Sequence, residues 1–413
     1  MTATPMMSRR TLLAALGAVG AATLTGCEPD GGRTAETLPD PLLVELDGGL
    51  AVLRGAAPQV LPHAIATADA RFIHATAPDG DDTALWRIDV GTGAASERVR
   101  LPGRWVPQTV STDGTQVALT TEEVSATKER PAGRTETPVL IADAGGVRRR
   151  LRLPGNVVPE AFTTDHTGLF VLEWLPPHAP DRYRVRVVDL DSEVSGPLST
   201  RLKEAIPAGA EEEMRGDGRQ AVLAADRRVL YTLYTHQPDH QHTRDRISGR
   251  PGSDVHAFVH TLHLEQRWAY CVDLPHPFGH GPAEGHAMTI SPDGTRLLVV
   301  DVGSGIVADI STEELTVRRT AAITGGAGSA YAVTDGDRLF VAADASVVVC
   351  DLADLGGGVE LTTGERINGL LLSRDGSRLH VAGPTALSWH DSTSGRQLGR
   401  LAVPGLTGLR GLA

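Results

Sequence analysis

The sequence predicts an all-β fold in which four-stranded units repeat around a ring. Three observations carry this reading. A phrase of the form strand, Asp-containing turn, strand recurs as "ATADARFIHA", "VSTDGTQVALT", "FTTDHTGLFVL", "LAADRRVLYTL", "ISPDGTRLLVV", "AVTDGDRLFVA" and "LLSRDGSRLHV". A third apolar segment follows each copy and usually ends in a second Asp, as in "LWRIDVGTG", "VLIADAGG", "VRVVDLDS", "IVADIST", "VVVCDLAD" and "LSWHDSTSG". A fourth, amphipathic segment such as "RQLGRLAVP" completes the unit. Four short strands repeating at roughly 40 to 50 residues is the period of a β-propeller blade.

The first two strands of each unit alternate apolar and polar residues, and a tight turn reverses the chain between them. The turn aspartates are Asp69, Asp113, Asp165, Asp226, Asp293, Asp335 and Asp375. At strand ends their carboxylates can accept backbone N–H groups, so they read as structural. Seven units are internal. The C-terminal "LTGLRGLA" reads as an innermost strand, and "LLVELDGGLAVLRG" near the start reads as a hairpin. Joining them would close the ring and hide two sheet edges. The expectation is one propeller domain over residues 42–413, with seven or eight four-stranded blades, an eighth being a composite of both termini.

The phrases "SPDGTRLLVV" and "WHDSTSGRQLGRL" resemble the repeats of the YVTN and WD40-like propeller lipoproteins of high-GC Gram-positive bacteria. The resemblance covers essentially Leu42 to Ala413. It implies the propeller fold and leaves the ligand open, because one fold hosts many functions.

The N-terminal stretch "SRRTLLAALGAVGAATLTGCEPD" is of another kind. Arg9 and Arg10 precede an apolar run, Leu12 to Leu24, that is short of the ~20 residues needed to span the bilayer core. Residues 1–26 therefore read as a removable export signal, and the arginine pair resembles the twin-arginine signal. Leu24-Thr25-Gly26-Cys27 resembles the lipobox of bacterial lipoproteins. That resemblance implies a diacylglycerol on the Cys27 thiol, which becomes the first mature residue. Two acyl chains give a stable anchor where one is marginal. Residues 27–41 then form the lipidated cysteine and a polar tether rich in Pro, Gly and acid. The expected place is the outer face of the cell membrane.

Composition narrows the partners. The formal net charge of −12 becomes −14 once the signal, with two arginines and no acid, is removed. A basic face for phosphates is lacking, so no nucleic acid is expected. Cys271 and Cys350 lie in different units and read as buried apolar fillers, not a disulfide.

The repeats disagree in one place. From turn Asp to third-strand Asp the spacing is 16 for Asp293 to Asp309, Asp335 to Asp351 and Asp375 to Asp391. It is 20 for Asp69 to Asp89, 30 for Asp113 to Asp143 and 24 for Asp165 to Asp189. In the fourth unit His263 takes the Asp position, 37 residues after Asp226. All the excess falls between second and third strands, on one face, and long loops are usually kept for function. Gln237 to Asp254 reads as an insertion that no repeat strand needs.

Nine of the fifteen histidines lie between His236 and His286. His236, His240 and His242, with Arg244, Arg246 and Arg250, are the expected binding residues of the enlarged face. His236, His240, His242, His256 and His260 are the candidate metal ligands, since imidazole is the commonest one. His256 and His260, an even number apart, would share one side of an extended strand. No phosphate loop, nucleophile elbow, metalloprotease helix or dinucleotide fingerprint is present, and no cofactor is expected. The leading expectation is a monomeric, membrane-anchored binding platform for a protein, peptide or envelope glycan. The alternatives are an enzyme at the central channel, lactonase-like or quinoprotein-like, and a histidine-rich metal-binding lipoprotein.

Cys27→Ser should abolish lipid attachment and leave the propeller folded, because the tether and not the domain would carry the anchor. Mass spectrometry of the mature N-terminus checks this; an unmodified Cys27 still joined to Gly26 would refute it.

Overall fold

The computed structural model describes residues 37–412, apart from residues 56–57, 122–129, 216–219, 253 and 356–358. The signal, the lipidation position Cys27 and most of the tether lie outside the described residues. Eight antiparallel sheets follow one another along the chain. Seven are four-stranded blades, with strands A to D in chain order: residues 63–101 (I), 106–154 (II), 156–196 (III), 220–273 (IV), 286–322 (V), 330–362 (VI) and 369–402 (VII). The eighth is the composite, with the C-terminal strand Leu406–Leu412 paired to Leu42–Leu46, and that strand to Gly49–Leu53. It has three strands instead of four. A single bridge between Leu50 and Leu61 stands where its outer strand would be.

The ring is an eight-bladed β-propeller closed by the two ends of the domain. Leu42 pairs with Leu412 and Leu46 with Leu406. Leu42, Val44 and Leu406 pack with Ala382, Leu387 and Trp389 of blade VII. Leu43, on the other face of the same strand, packs with Ile73 and Ala75 of blade I. The folded part begins before Leu42, which corrects the tether boundary. Leu38 is buried in the same cluster, and the Asp40 carboxylate accepts hydrogen bonds from Arg378 of blade VII at 3.0–3.2 Å.

The turn aspartates sit in a repeated device between strands A and B. A Ser or Thr hydroxyl donates to the Asp two residues later at 2.5–2.6 Å in blades I, II, III, V and VII. The same hydroxyl oxygen accepts the backbone N–H five residues on, at 2.8–3.0 Å. Both orphan groups of a tight turn are thereby satisfied. Blade IV has Ala224 in the hydroxyl position, leaving Asp226 to accept only from the Arg228 backbone at 3.0 Å among the hydrogen bonds of this turn.

Register fixes which residues correspond. The residue three after the turn Asp pairs with the end of strand C: Phe72 with Asp89, Gly168 with Asp189, Val229 with His263, Arg338 with Asp351, Arg378 with Asp391. In blade V, Arg296 pairs with Ser311, so Ser311 is the equivalent and Asp309 is not. Asp309 instead lies within strand C, buried against Arg296 at 2.8 Å. The repeated arginine of "DGTRL", "DGDRL" and "DGSRL" joins neighbouring blades. Arg296 donates to Leu352 O at 3.0 Å, Arg338 to Ser392 O at 2.7 Å, and Arg378 reaches Asp40.

With this connectivity the A–B and C–D turns share the lower face. The B–C loops and the connections between blades share the upper face. Extra residues do fall between strands B and C. Those of blade I, however, only lengthen Phe72–Asp79 and Asp82–Asp89, which meet at a two-residue turn. Blades III and IV carry true loops there, residues 176–181 and 235–257; in blade II most of the corresponding segment, residues 122–129, lies outside the described residues. Cys271 and Cys350 are free and buried, as their separation implied.

Two measurements probe the fold. Deleting Leu406 to Ala413 should lower the melting temperature far more than deleting Glu28 to Glu36, because the first strips the edge of Leu42–Leu46 and opens the ring; equal melting temperatures would rule out closure. The second concerns the Asp165 turn. Burial alone would push this carboxyl up, but hydrogen bonds from Thr163 and Thr167 and the Arg267 charge together hold it down at about 2. A depressed carboxyl contributes stability that is present above its ordinary value of 3.8 and lost as pH falls through about 2. Asp165→Ala should therefore cost about 1 kcal/mol at pH 7, a figure kept small because the side chain is more than half exposed. In urea titrations the gap to the parent should close on acidification from pH 5 to 2.

Candidate functional site

Blade IV gathers the largest additions. Its B–C loop, residues 235–257, leaves strand B (Val229–Tyr234) at the upper face and returns into strand C (Phe258–His263). The loop contains one short helix, α1 (Thr243–Ser248). The Asp245 carboxylate accepts the His242 backbone N–H at 3.3 Å at its start, and Gly249, at φ 67°, ends it in the left-handed region that favours glycine. The second addition is the connection from blade III, residues 197–219. Strand D of blade III is only Ser195–Gly196. The connection takes over its upper half, with Met214 bridging Tyr183 and with Glu211 and Glu213 ion-paired to Arg184, Arg186 and Arg182 at 2.7–3.0 Å.

Where these two segments meet strand D of blade IV (Trp268–Asp273), polar groups are buried together. His240 stacks on Phe258 with ring centres 4.5 Å apart, and His242 meets the same ring edge-on at 5.0 Å. His242 Nε2 lies 2.5 Å from Asp273 Oδ1. Arg244 donates to Asp273 Oδ2 at 2.6 Å and to Cys271 O at 2.8 Å. From the connection, Glu212 Oε2 accepts the Thr243 N–H at 3.1 Å, and the Cys271 thiol donates to Glu212 Oε1 at 2.9 Å. His242 Nδ1 stands 3.6 Å from Glu212 Oε2. His260, in strand C, is buried beside them and edge-on to Tyr234.

Burial and charge act against each other in this cluster. Burial alone would raise the Glu212 carboxyl, yet the His242 imidazole, with His260 and His240 behind it, holds it far below the carboxylate range. Burial alone would lower His242, but the Asp273 and Glu212 carboxylates raise it to about 9. His240, whose own burial outweighs those carboxylates, falls to about 4 and is neutral at pH 7. Burial and the Glu212 charge push the Cys271 thiol up.

A second histidine group lies at the surface beside the first. The rings of His256 and His280 are centred 3.9 Å apart, and those of His276 and His280 4.0 Å. His256 Nε2 is 3.2 Å from Asp254 Oδ1. His236 stays next to strand B, its Nδ1 3.0 Å from the Thr235 hydroxyl.

The structure thus divides the residues expected to act together. His240 and His242 are buried, which corrects their expected place on an exposed recognition face. Arg244 is half-buried against Asp273, and Arg246 is also half-buried. Arg250 is exposed, and so is Ile247, at 48% of its surface. His256 and His260 do not share a strand face, because strand C begins only at Phe258. Nor is residues 237–254 a dispensable insertion, since its removal would uncover Phe258 and leave Glu212 and Asp273 without His242. Reasoning from sequence missed Glu212 and Asp273 and took Cys271 for an inert filler. One signal was available: Cys271 and Asp273, two apart in a strand, project to the same side.

No family model matches this chain, and no curated protein is similar to it in sequence. Solved structures match its fold. Apo AztD from Citrobacter koseri has a TM-score of 0.50 and 11% identity, over 90% of this chain and 97% of that one. The periplasmic gluconolactonase PpgL of Pseudomonas aeruginosa has a TM-score of 0.42 and 15% identity, over 91% and 99%. Dihydro-heme d1 dehydrogenase NirN in complex with DHE has a TM-score of 0.48 and 14% identity, over 92% and 77%. At such identities the likeness is one of fold alone.

Proposed function

We propose that this chain is a lipid-anchored extracytoplasmic propeller that holds a protein, peptide or envelope-glycan ligand on the upper face of blades III and IV. The observation that carries the reading is the enlargement of the upper face at these two blades. Their B–C loops and the Glu211 to Met214 stretch of the connection into blade IV lie on that side. The connection first runs along the lower face, where Arg201 donates to Glu313 O and Glu314 O and Lys203 to Gln266. Blades I, V, VI and VII keep short B–C turns. The lower mouth of the channel supports this choice of face. There the Arg227 guanidinium of blade IV ion-pairs with Asp69 of blade I and donates to Thr112 O of blade II at 3.1 Å, tying the rim together. The anchor at Cys27 and the outer face of the cell membrane belong to the same reading. No helix among the described residues is long and apolar enough to cross a membrane.

The tip of the blade IV loop exposes Ile247 on α1 and Arg250 just past its Gly249 cap, and His276 and His280 are exposed in the connection that follows strand D of the same blade. An exposed apolar side chain and a cation on one loop, with imidazoles on the same blade, suit a mixed apolar and anionic ligand surface. Ile247→Glu combined with Arg250→Glu should leave the melting temperature unchanged. It should weaken capture of a partner that co-purifies with the full chain from detergent-solubilised membrane about thirtyfold, the loss of one hot spot. Equal recovery of every partner by parent and variant would move the recognition face elsewhere.

A further inference from the structure

We propose that Glu212, His242 and Cys271 form a buried three-residue site for one divalent metal ion of the zinc class. The oxygen, nitrogen and sulfur ligand atoms of the three residues all lie within 4.8 Å of one another, the one such convergence among the described residues. A tetrahedral zinc ion with bonds of about 2.0–2.3 Å sets its ligands roughly 3.3–3.8 Å apart. His242 Nδ1 to Glu212 Oε2, at 3.6 Å, already has that spacing. Cys271 Sγ to Glu212 Oε1, at 2.9 Å, is shorter, because a thiol hydrogen bond now joins them. An ion would replace the thiol hydrogen and spread the two atoms.

Two further observations point to a ligand. His242 Nδ1 and His240 Nε2 are buried ring nitrogens without a hydrogen-bond partner, and the two residues are 1% and 4% exposed. Groups of this kind are rare in folded proteins unless something else occupies them. His242 is also oriented as a metal ligand is oriented. Its Nε2 is held by the Asp273 carboxylate, itself fixed by Arg244, so that Nδ1 faces Glu212 and Cys271. A carboxylate behind the imidazole sets tautomer and direction in metal sites generally.

The charges balance. One carboxylate and one thiolate neutralise a divalent ion, and Asp273 is matched by Arg244. On binding, the Cys271 sulfur and His242 Nδ1 give up their protons to solvent, and no electron is transferred. Thiolate with imidazole and carboxylate favours zinc or cobalt over magnesium or calcium, which take oxygen ligands. The ion would join three separate segments: the connection from blade III, the inserted loop, and strand D of blade IV. Its part in the protein is therefore to fasten the loop that carries the exposed patch.

The competing account is a metal-free ion pair in which His242 simply bridges Glu212 and Asp273. The full chain, stripped with a chelator, distinguishes the two when titrated with cobalt and with zinc. One equivalent of cobalt should give a near-ultraviolet thiolate-to-cobalt band, and zinc should raise the melting temperature. Cys271→Ser should lose the band, and Glu212→Gln, which keeps shape and hydrogen-bonding capacity, should bind at least tenfold more weakly. Asp273→Asn should keep the band and weaken binding about ten- to a hundredfold, as a positioning residue does. His276→Ala with His280→Ala should change none of these. A folded parent that shows neither the band nor the rise in melting temperature overturns the site. So does binding that survives Cys271→Ser and disappears with the surface histidines.

Discussion

Each blade of this ring is apolar on both faces, and that constraint governs the rest. A sheet such as blade V buries Met288, Leu297 and Val299 toward blade IV, and Leu298, Val300 and Val307 toward blade VI. A sheet so built has no solvent side and must have two neighbours. The requirement passes from blade to blade until the chain's two ends meet, where Leu42–Leu46 shows Leu42 and Val44 to blade VII and Leu43 to blade I. At blade VIII the strand pair Leu406–Leu412 and Leu42–Leu46 holds together by backbone pairing alone, without the A–B turn that joins the corresponding strands of the other blades. The eighth blade can lack a fourth strand because only the outermost position, farthest from the ring contacts, is left vacant.

Polar groups set the angle at which apolar faces meet. The hydroxyl-to-Asp turns fix the lower ends of strands A and B with charge-assisted hydrogen bonds shorter than neutral ones. Arg296 and Arg338 then reach from strand B to a carbonyl at the C–D turn of the next blade. Because the fork of a guanidinium has fixed directions, such a bond tolerates little rotation between blades. Leu-rich faces would otherwise slide, since the hydrophobic effect is not directional.

Periodicity made the architecture legible. "ISPDGTRLLVV" states the turn, the strand alternation and even the clasping arginine, although the arginine's role appears only when the next blade is in place. The composite blade was legible from the half-units at the two ends. Register was less so: "IVADIST" offers both Asp309 and Ser311 as the strand end, and only pairing with Arg296 decides between them. The histidine segment was found but not its arrangement. A loop has no period, so nothing in "HQPDHQH" indicates that the second and third histidines turn inward onto Phe258 while the first stays at the surface. Glu212 was illegible for a further reason. It lies 30 residues before His242 and 59 before Cys271, in an acidic run indistinguishable from solvent-facing linker.

What brings Glu212 there is a defect in the neighbouring blade. Strand D of blade III is reduced to Ser195–Gly196, so the upper half of strand C (Arg182–Asp189) lacks an outer partner. Arg182, Arg184 and Arg186 project from that half, and an uncovered row of guanidinium groups attracts acid. Glu211 and Glu213 supply it, and because alternate residues of an extended segment face opposite ways, pairing those two turns Glu212 away from blade III. It then meets blade IV, where the Cys271 thiol and the N–H of Thr243 donate to its carboxylate. The short outer strand, the arginine row, the acidic triplet and the inserted loop are thus one arrangement. The polar cluster of blade IV exists because blade III is incomplete, and a full-length strand D there would leave Glu212 no path to His242.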